Sequence, residues 1–169
     1  MSHYRKGSPI VTLLDTNGDG TGVFEANGDY SETPTEFIIR PEPGHSIAIH
    51  RLVVQLRNGS VLDEDNYGGI PGLTNGVYLF MADNGEDIWR FPALAAVRAN
   101  RDWAGLAHPT PLVVGLAPAE TLYCTLDFVK LTGVPIVIAD HKNHRLGVRL
   151  NDDFTGLLEQ RFVVYGVSN

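Results

Sequence analysis

Three short stretches carry residue types from which a site could be built. In LLDTNGDGTG (Leu13 to Gly22), Asp15, Asn17, Asp19 and Gly20 reproduce the first half of a calcium-binding loop, with oxygen ligands at the first, third and fifth positions and a glycine at the sixth. The twelfth position of such a loop supplies a bidentate glutamate. Counted from Asp15 it falls on Ala26, with Glu25 one place early. The flanks VTLLD and TGVFEA read as extended, so the stretch reads as an Asn-Gly/Asp-Gly turn, with calcium on Asp15, Asn17 and Asp19 as the alternative. In DHKNHR, His141 and His144 lie three apart beside Asp140, a spacing that can grip a metal when both rings face one way. Strands on either side, and no cysteine pair, favour a polar hairpin loop. NDDF (Asn151 to Phe154) offers paired carboxylates of the kind acid–base catalysis uses. Adjacent strand residues point to opposite faces, so a solvated turn between strands is the better reading.

The remaining chemistry-bearing residues read as structural. Cys124 lies in TLYCTLDF, where Leu122, Cys124, Leu126 and Phe128 share one side of an alternating strand, as a buried core thiol would. His50 lies at a strand bend and reads as a structural histidine. The chain has no GxSxG, HExxH or phosphate loop, and no glycine fingerprint opening a helix. No catalytic residue, cofactor or metal is expected.

The elements that position these residues are strands. EFIIR (Glu36 to Arg40), SIAIHRLVVQLR (Ser46 to Arg57), VYLFM (Val77 to Met81), ETLYCTLDFVK (Glu120 to Lys130), PIVIA (Pro135 to Ala139), RLGVRL (Arg145 to Leu150) and RFVVYGV (Arg161 to Val167) all alternate. In the longest, Ile47 and Ile49 occupy odd positions but Leu52, Val54 and Leu56 even ones. A bulge near His50 and Arg51 would return both sets to the core. Asn-Gly pairs at 17/18, 27/28, 58/59, 75/76 and 84/85 tolerate the positive φ that tight hairpins need and favour antiparallel neighbours. One helical insertion is expected within Pro92 to Ala107, after Asn100 as its cap and carrying Trp103 and Leu106, with Ala96 to Ala99 as possible strand. Val61 to Thr74 is rich in glycine and acidic residues and reads as a long contact loop. About ten short strands with turns between them predict an all-β, antiparallel sandwich or jelly roll. The expected division is an N-terminal arm over residues 1–30 and one sandwich domain over 31–169.

Composition sets outer bounds. The chain has 169 residues, 43% of them hydrophobic, enough for one core. Thirteen basic and twenty acidic residues leave a net charge of −7 with no basic run, which argues against a nucleic-acid or anionic-membrane surface. A single cysteine forms no internal disulfide, and MSHYRKGSP holds no apolar signal core. A soluble, unsecreted protein is expected.

The order DTNGDGTG, NGDYS, EFIIRPEPG, IHRLVVQLRNGS, LTNGVYL, NRDWAGL and RLGVRLNDDFTGLLEQRFVVYG resembles small virion structural proteins of tailed bacteriophages over Leu13 to Gly166. Its most specific parts are IHR (Ile49 to Arg51), NRDW (Asn100 to Trp103) and LNDDFTGL (Leu150 to Leu157). The resemblance implies a β-sandwich particle component. The leading expectation is a capsid cement or decoration protein that bridges major capsid subunits, folds in the host bacterial cytoplasm and resides in the virion. A homo-oligomer is expected, with a trimer favoured. The alternatives are a neck or tail adaptor, and a carbohydrate- or receptor-binding module using Tyr67, Trp89 or Trp103 as a stacking platform. Contacts are expected from the arm Met1 to Tyr30 and the loop Val61 to Thr74, with Tyr67, Ile70, Pro71 and Trp103 as anchors.

Overall fold

The alternation in SIAIHRLVVQLR forms the central strand of the larger sheet, and its change of phase is built into the backbone. A computed structural model describes residues 7–92 and 95–169. In it Ser46–Arg57 is one strand with Ile47, Ile49, Leu52, Val54 and Leu56 buried and only His50 and Arg51 turned out between the two sets. Along the antiparallel strand Glu159–Ser168, Tyr165 matches Arg51 and Gly166 matches Ile49, so His50 is the extra residue of a bulge. A one-residue slip exchanges the faces of a strand, and here it keeps both apolar sets facing inward. His50 itself is exposed at this bend.

In chain order the strands are β1 (Ser8–Leu13), β2 (Thr35–Ile39), β3 (Ser46–Arg57), β4 (Val77–Asp83), β5 (Glu86–Phe91), β6 (Leu112–Leu116), β7 (Ala119–Asp127), β8 (Ile136–Ala139), β9 (His144–Leu150) and β10 (Glu159–Ser168). Two short helices, α1 (Asn100–Leu106) and α2 (Phe128–Thr132), interrupt them. The larger sheet runs β1-β10-β3-β7-β6 with β8 also on β3, and the smaller runs β2-β9-β4-β5. Every pairing is antiparallel. The class is all-β, and the two sheets pack face to face in the manner of a sandwich. Phe37, Leu79, Leu146 and Val148 from the smaller sheet share one core with Ile49, Leu52, Val54, Cys124, Phe162 and Val164 from the larger. Burial drives the Cys124 thiol up to about 12, so it stays protonated and inert at neutral pH.

Three strands are absent from the sequence-based expectation. Asn84 (φ 48°) and Gly85 (φ 92°) join β4 to β5, the two positive angles a tight primed hairpin turn requires. β6 forms a second hairpin with β7. The segment expected to continue as strand to Lys130 ends at Asp127. There the Asp127 carboxylate accepts a hydrogen bond from the Lys130 amide (3.0 Å) and starts α2, and Gly133 (φ 83°) ends it. This second helix is an excursion within a continued ladder: β7 pairs with β3 from Arg51 to Arg57, and β8 pairs with it from Ser46 to Ile49.

Residues 7–30, expected as an arm, lie on the domain's own body. β1 pairs with β10 over its whole length, and Ile10, Leu14 and Ala26 join the core. The Leu14 amide donates to the Phe162 carbonyl in the larger sheet, while Asp15 exchanges backbone bonds with Ile38 in the smaller one. The chain therefore steps from sheet to sheet at Leu14–Asp15. Met1 to Lys6 of the arm, and Ala93 and Leu94 of the stretch searched for a helix, lie outside the described residues.

The outer face of the smaller sheet carries a second, small apolar cluster of Ile38, Phe80 and Ala82. Phe80 lies under the Arg149 guanidinium, 4.6 Å from its ring centre. Arg149 in turn grips Asp87 through two bonds (2.9 and 3.0 Å) and Glu36 Oε1 (2.7 Å), and Arg145 reaches Glu36 Oε2 at 3.2 Å. This network ties β2, β9 and β5 together across the sheet. Hydrogen bonding to Arg149 holds the Asp87 carboxyl below its ordinary value of 3.8. A lowered carboxyl contributes stability that is full above the ordinary value and is lost as pH falls through the lowered one. Asp87→Asn should therefore melt a few degrees below the parent at pH 7, a loss of about 1 kcal/mol. That gap should close as both are acidified below 3.8. A gap that stays constant from pH 7 to pH 2 in paired thermal melts would contradict this.

Candidate contact surface

The carboxylates of the three stretches accept hydrogen bonds from backbone amides. A buried amide N–H without a partner costs on the order of 1–3 kcal/mol, and the connections crossing the ends of a sandwich bury several. Asp15, 2% exposed, accepts from the amides of Gly18 (2.5 Å) and Gly22 (2.6 Å). Asn17 donates to the Thr21 hydroxyl at 3.1 Å. The Thr21 hydroxyl (2.6 Å) and amide (3.0 Å) both donate to Asp19 Oδ1 and hold that carboxyl below its ordinary range. Glu25 is turned away and pairs with Arg161 of β10. The opening motif is thus a turn closed on its own oxygens, and it lies over Ile38 and Arg40 at the free side of β2.

Asp152 plays the same part for another segment, accepting from the amides of Thr74 (3.2 Å), Asn75 (2.9 Å) and Gly76 (2.5 Å). Its neighbour Asp153 closes a local turn on the amide and hydroxyl of Thr155. The two carboxylates serve different loops and share no cleft. The two histidines also part: His144 is buried with Nε2 3.9 Å from Asp83, while His141 borders an open cavity of about 320 Å³ with His45, Ser46 and Asn169. Among the described residues, no three His, Cys, Asp or Glu side chains gather closely enough to hold a metal ion.

The long loop from Asn58 to Gly76 is fastened at four places. Asn100 Oδ1 accepts from the Gly68 amide (2.9 Å), and Asn100 Nδ2 donates to the Asp63 carbonyl (2.7 Å). Glu120 of β7 accepts from the Leu62 amide (2.9 Å), Asn58 folds back onto Gly59 and Ser60, and Asp152 holds the far end. The glycines permit this closeness: a Cβ on Gly69 would lie 2.2 Å from Asn58 Oδ1, and one on Gly68 2.2 Å from Leu157. Asn100 is consequently not the helix cap that the sequence predicts. Ala99 holds that position without a side-chain bond, and Asn100 faces the loop.

Two of the four expected anchors are core residues. Tyr67 is fully buried, edge-on to Phe154 at 5.6 Å, and Trp103 is 1% exposed. Burial raises the Tyr67 hydroxyl well above its ordinary value, against a smaller lowering from Trp103 beside it. Both rings pin loop and helix from beneath and are closed to a partner. Ile70 is half-buried and Pro71 exposed, so these two do lie at the loop surface.

The most apolar exposed surface lies elsewhere. Of the fourteen large apolar side chains exposed among the described residues, eight fall between Leu112 and Val137, on β6, α2 and β8 and the turn between the last two. They run along one margin of the larger sheet. β6 is exposed at every position. Val113, on the same face as Gly115, pairs with buried Leu122 yet is itself 49% exposed.

No protein-family model, no curated protein and no solved structure matches the chain. No helix among the described residues is long and apolar enough to cross a membrane. The closed hydrogen bonding of the Asp15 turn sets a direct expectation for metal. Thermal melts with millimolar calcium and with a chelator should superimpose; a rise of several degrees with calcium would restore the metal reading.

Proposed function

We propose that the chain is a non-enzymatic structural subunit of a tailed-phage particle, which binds the assembled shell as a cement or decoration protein in contact with the major capsid protein. The sequence resemblance supplies the setting. The observation that carries a binding role is the loop 58–76, a segment without regular strands that is held by Asn58, Asn100, Glu120 and Asp152. A loop already fixed in the free protein meets a partner without the entropy cost of ordering it. It exposes Pro71 and half-exposes Ile70, beside the acidic run Asp63, Glu64 and Asp65.

Binding to the shell and not to its separated subunits would stabilise the shell by mass action, and repetition over a symmetric surface would multiply a modest single-site affinity. The sugar-binding alternative loses two of its three rings, since Tyr67 and Trp103 are buried. The test is incubation of the purified protein with expanded shells that lack it. Co-sedimentation at a fixed ratio to the major capsid protein, with added resistance to heat, is expected. Loss of binding on Pro71→Asp with the fold intact would place the contact at the loop. No co-sedimentation and no gain in resistance would overturn the role.

A further inference from the structure

We infer that β6 is a self-association strand, pairing edge to edge and antiparallel with β6 of a second copy across a twofold axis. The sheet edges are not equivalent. β1 carries Pro9, which cannot donate to a neighbour. β5 carries Glu86, Asp87 and Arg90, β8 is four residues long, and β2 is covered by the pairing of Asp15 with Ile38. Short strands, prolines, charges and covering loops are the devices by which proteins block strand addition. β6, although five residues long, carries no proline and no charge. Among the described residues no strand lies beyond it, and Leu112, Val113, Val114 and Leu116 are 60%, 49%, 48% and 88% exposed.

Charge identifies the occupant. The seventeen residues from Trp103 to Ala119 contain no Asp, Glu, Lys or Arg, in a chain of net charge −7. A basic partner finds no counter-charge on this edge, whereas two copies meet where their mutual repulsion is smallest. The sequence is also complementary to itself. In antiparallel pairing centred on Val114, Leu112 of each copy faces Leu116 of the other, and Val113 faces Gly115, where a missing side chain leaves room for it. Aliphatic cross-strand pairs of this kind stabilise sheets. Among the described residues each copy has one unblocked edge, so the pairing closes at two, in place of the trimer favoured for a cement protein. The inference goes beyond the particle role and is independent of it, because dimerisation and shell binding are read separately.

Sedimentation equilibrium and light scattering on the purified chain test it. A dimer is expected, weakened at least a hundredfold by Val114→Lys, which sets two ammonium groups together at the axis. Leu116→Lys, at an 88% exposed position, repeats the test where folding is not at stake; circular dichroism and melting temperature monitor the fold of both. Residues directly opposed in an antiparallel pair lie about 4.5–5.5 Å apart at Cα, within disulfide range. Val114→Cys should therefore give a disulfide-linked dimer on mild oxidation, with buried Cys124 unreactive. A monomer at all concentrations, a trimer or open aggregates, or a dimer indifferent to both lysine variants would overturn the inference.

Discussion

Every buried amide in a connection that crosses from one sheet to the other must find an acceptor, and the rest of this structure depends on how that requirement is met. Within the sheets the ladders supply the acceptors. At the crossings they come from Asp15, Asp152 and Asn100, all buried and each bonded to residues of a glycine-containing loop. The same residues that would have furnished a calcium loop or a carboxylate pair are occupied in this way. Their side chains cannot be withdrawn for other chemistry without exposing the loops they hold.

Local features of the fold were legible in the sequence. The phase change between Ile49 and Leu52 predicted the bulge at His50, and the Asn84-Gly85 pair predicted a tight turn. Each depends on residues adjacent in the chain. Features set by distant partners were not legible. Asn100 has the composition and position of a helix cap, yet its side chain is claimed by Gly68 and Asp63, more than thirty residues away. Tyr67 and Trp103 lie in loop-like sequence and read as surface anchors, but the loop folds inward over Phe154 and buries them. The strand expected to run to Lys130 ends at Asp127, where α2 begins, and β8 takes over the pairing with β3. β6 is not legible because its run LVVGL is short and does not alternate in polarity.

Two surfaces emerge with different physics. The loop 58–76 is polar, acidic and fixed in place, which suits specific recognition with little ordering cost. The β6 margin is aliphatic and uncharged, which suits close packing against an identical surface. The charge network of Glu36, Asp87, Arg145 and Arg149 occupies the outer face of the smaller sheet and is already internally paired. It therefore has little free charge to offer a partner.

Buried side chains, above all Asn100, hold the loop 58–76 in place. Hydrogen exchange on Asn100→Ala tests it most directly. Removing both side-chain bonds costs the loop on the order of 2 kcal/mol, so amides in residues 62–70 should exchange roughly thirtyfold faster while those of β3 and β10 keep their protection. Unchanged protection of that loop in the folded variant would contradict the account.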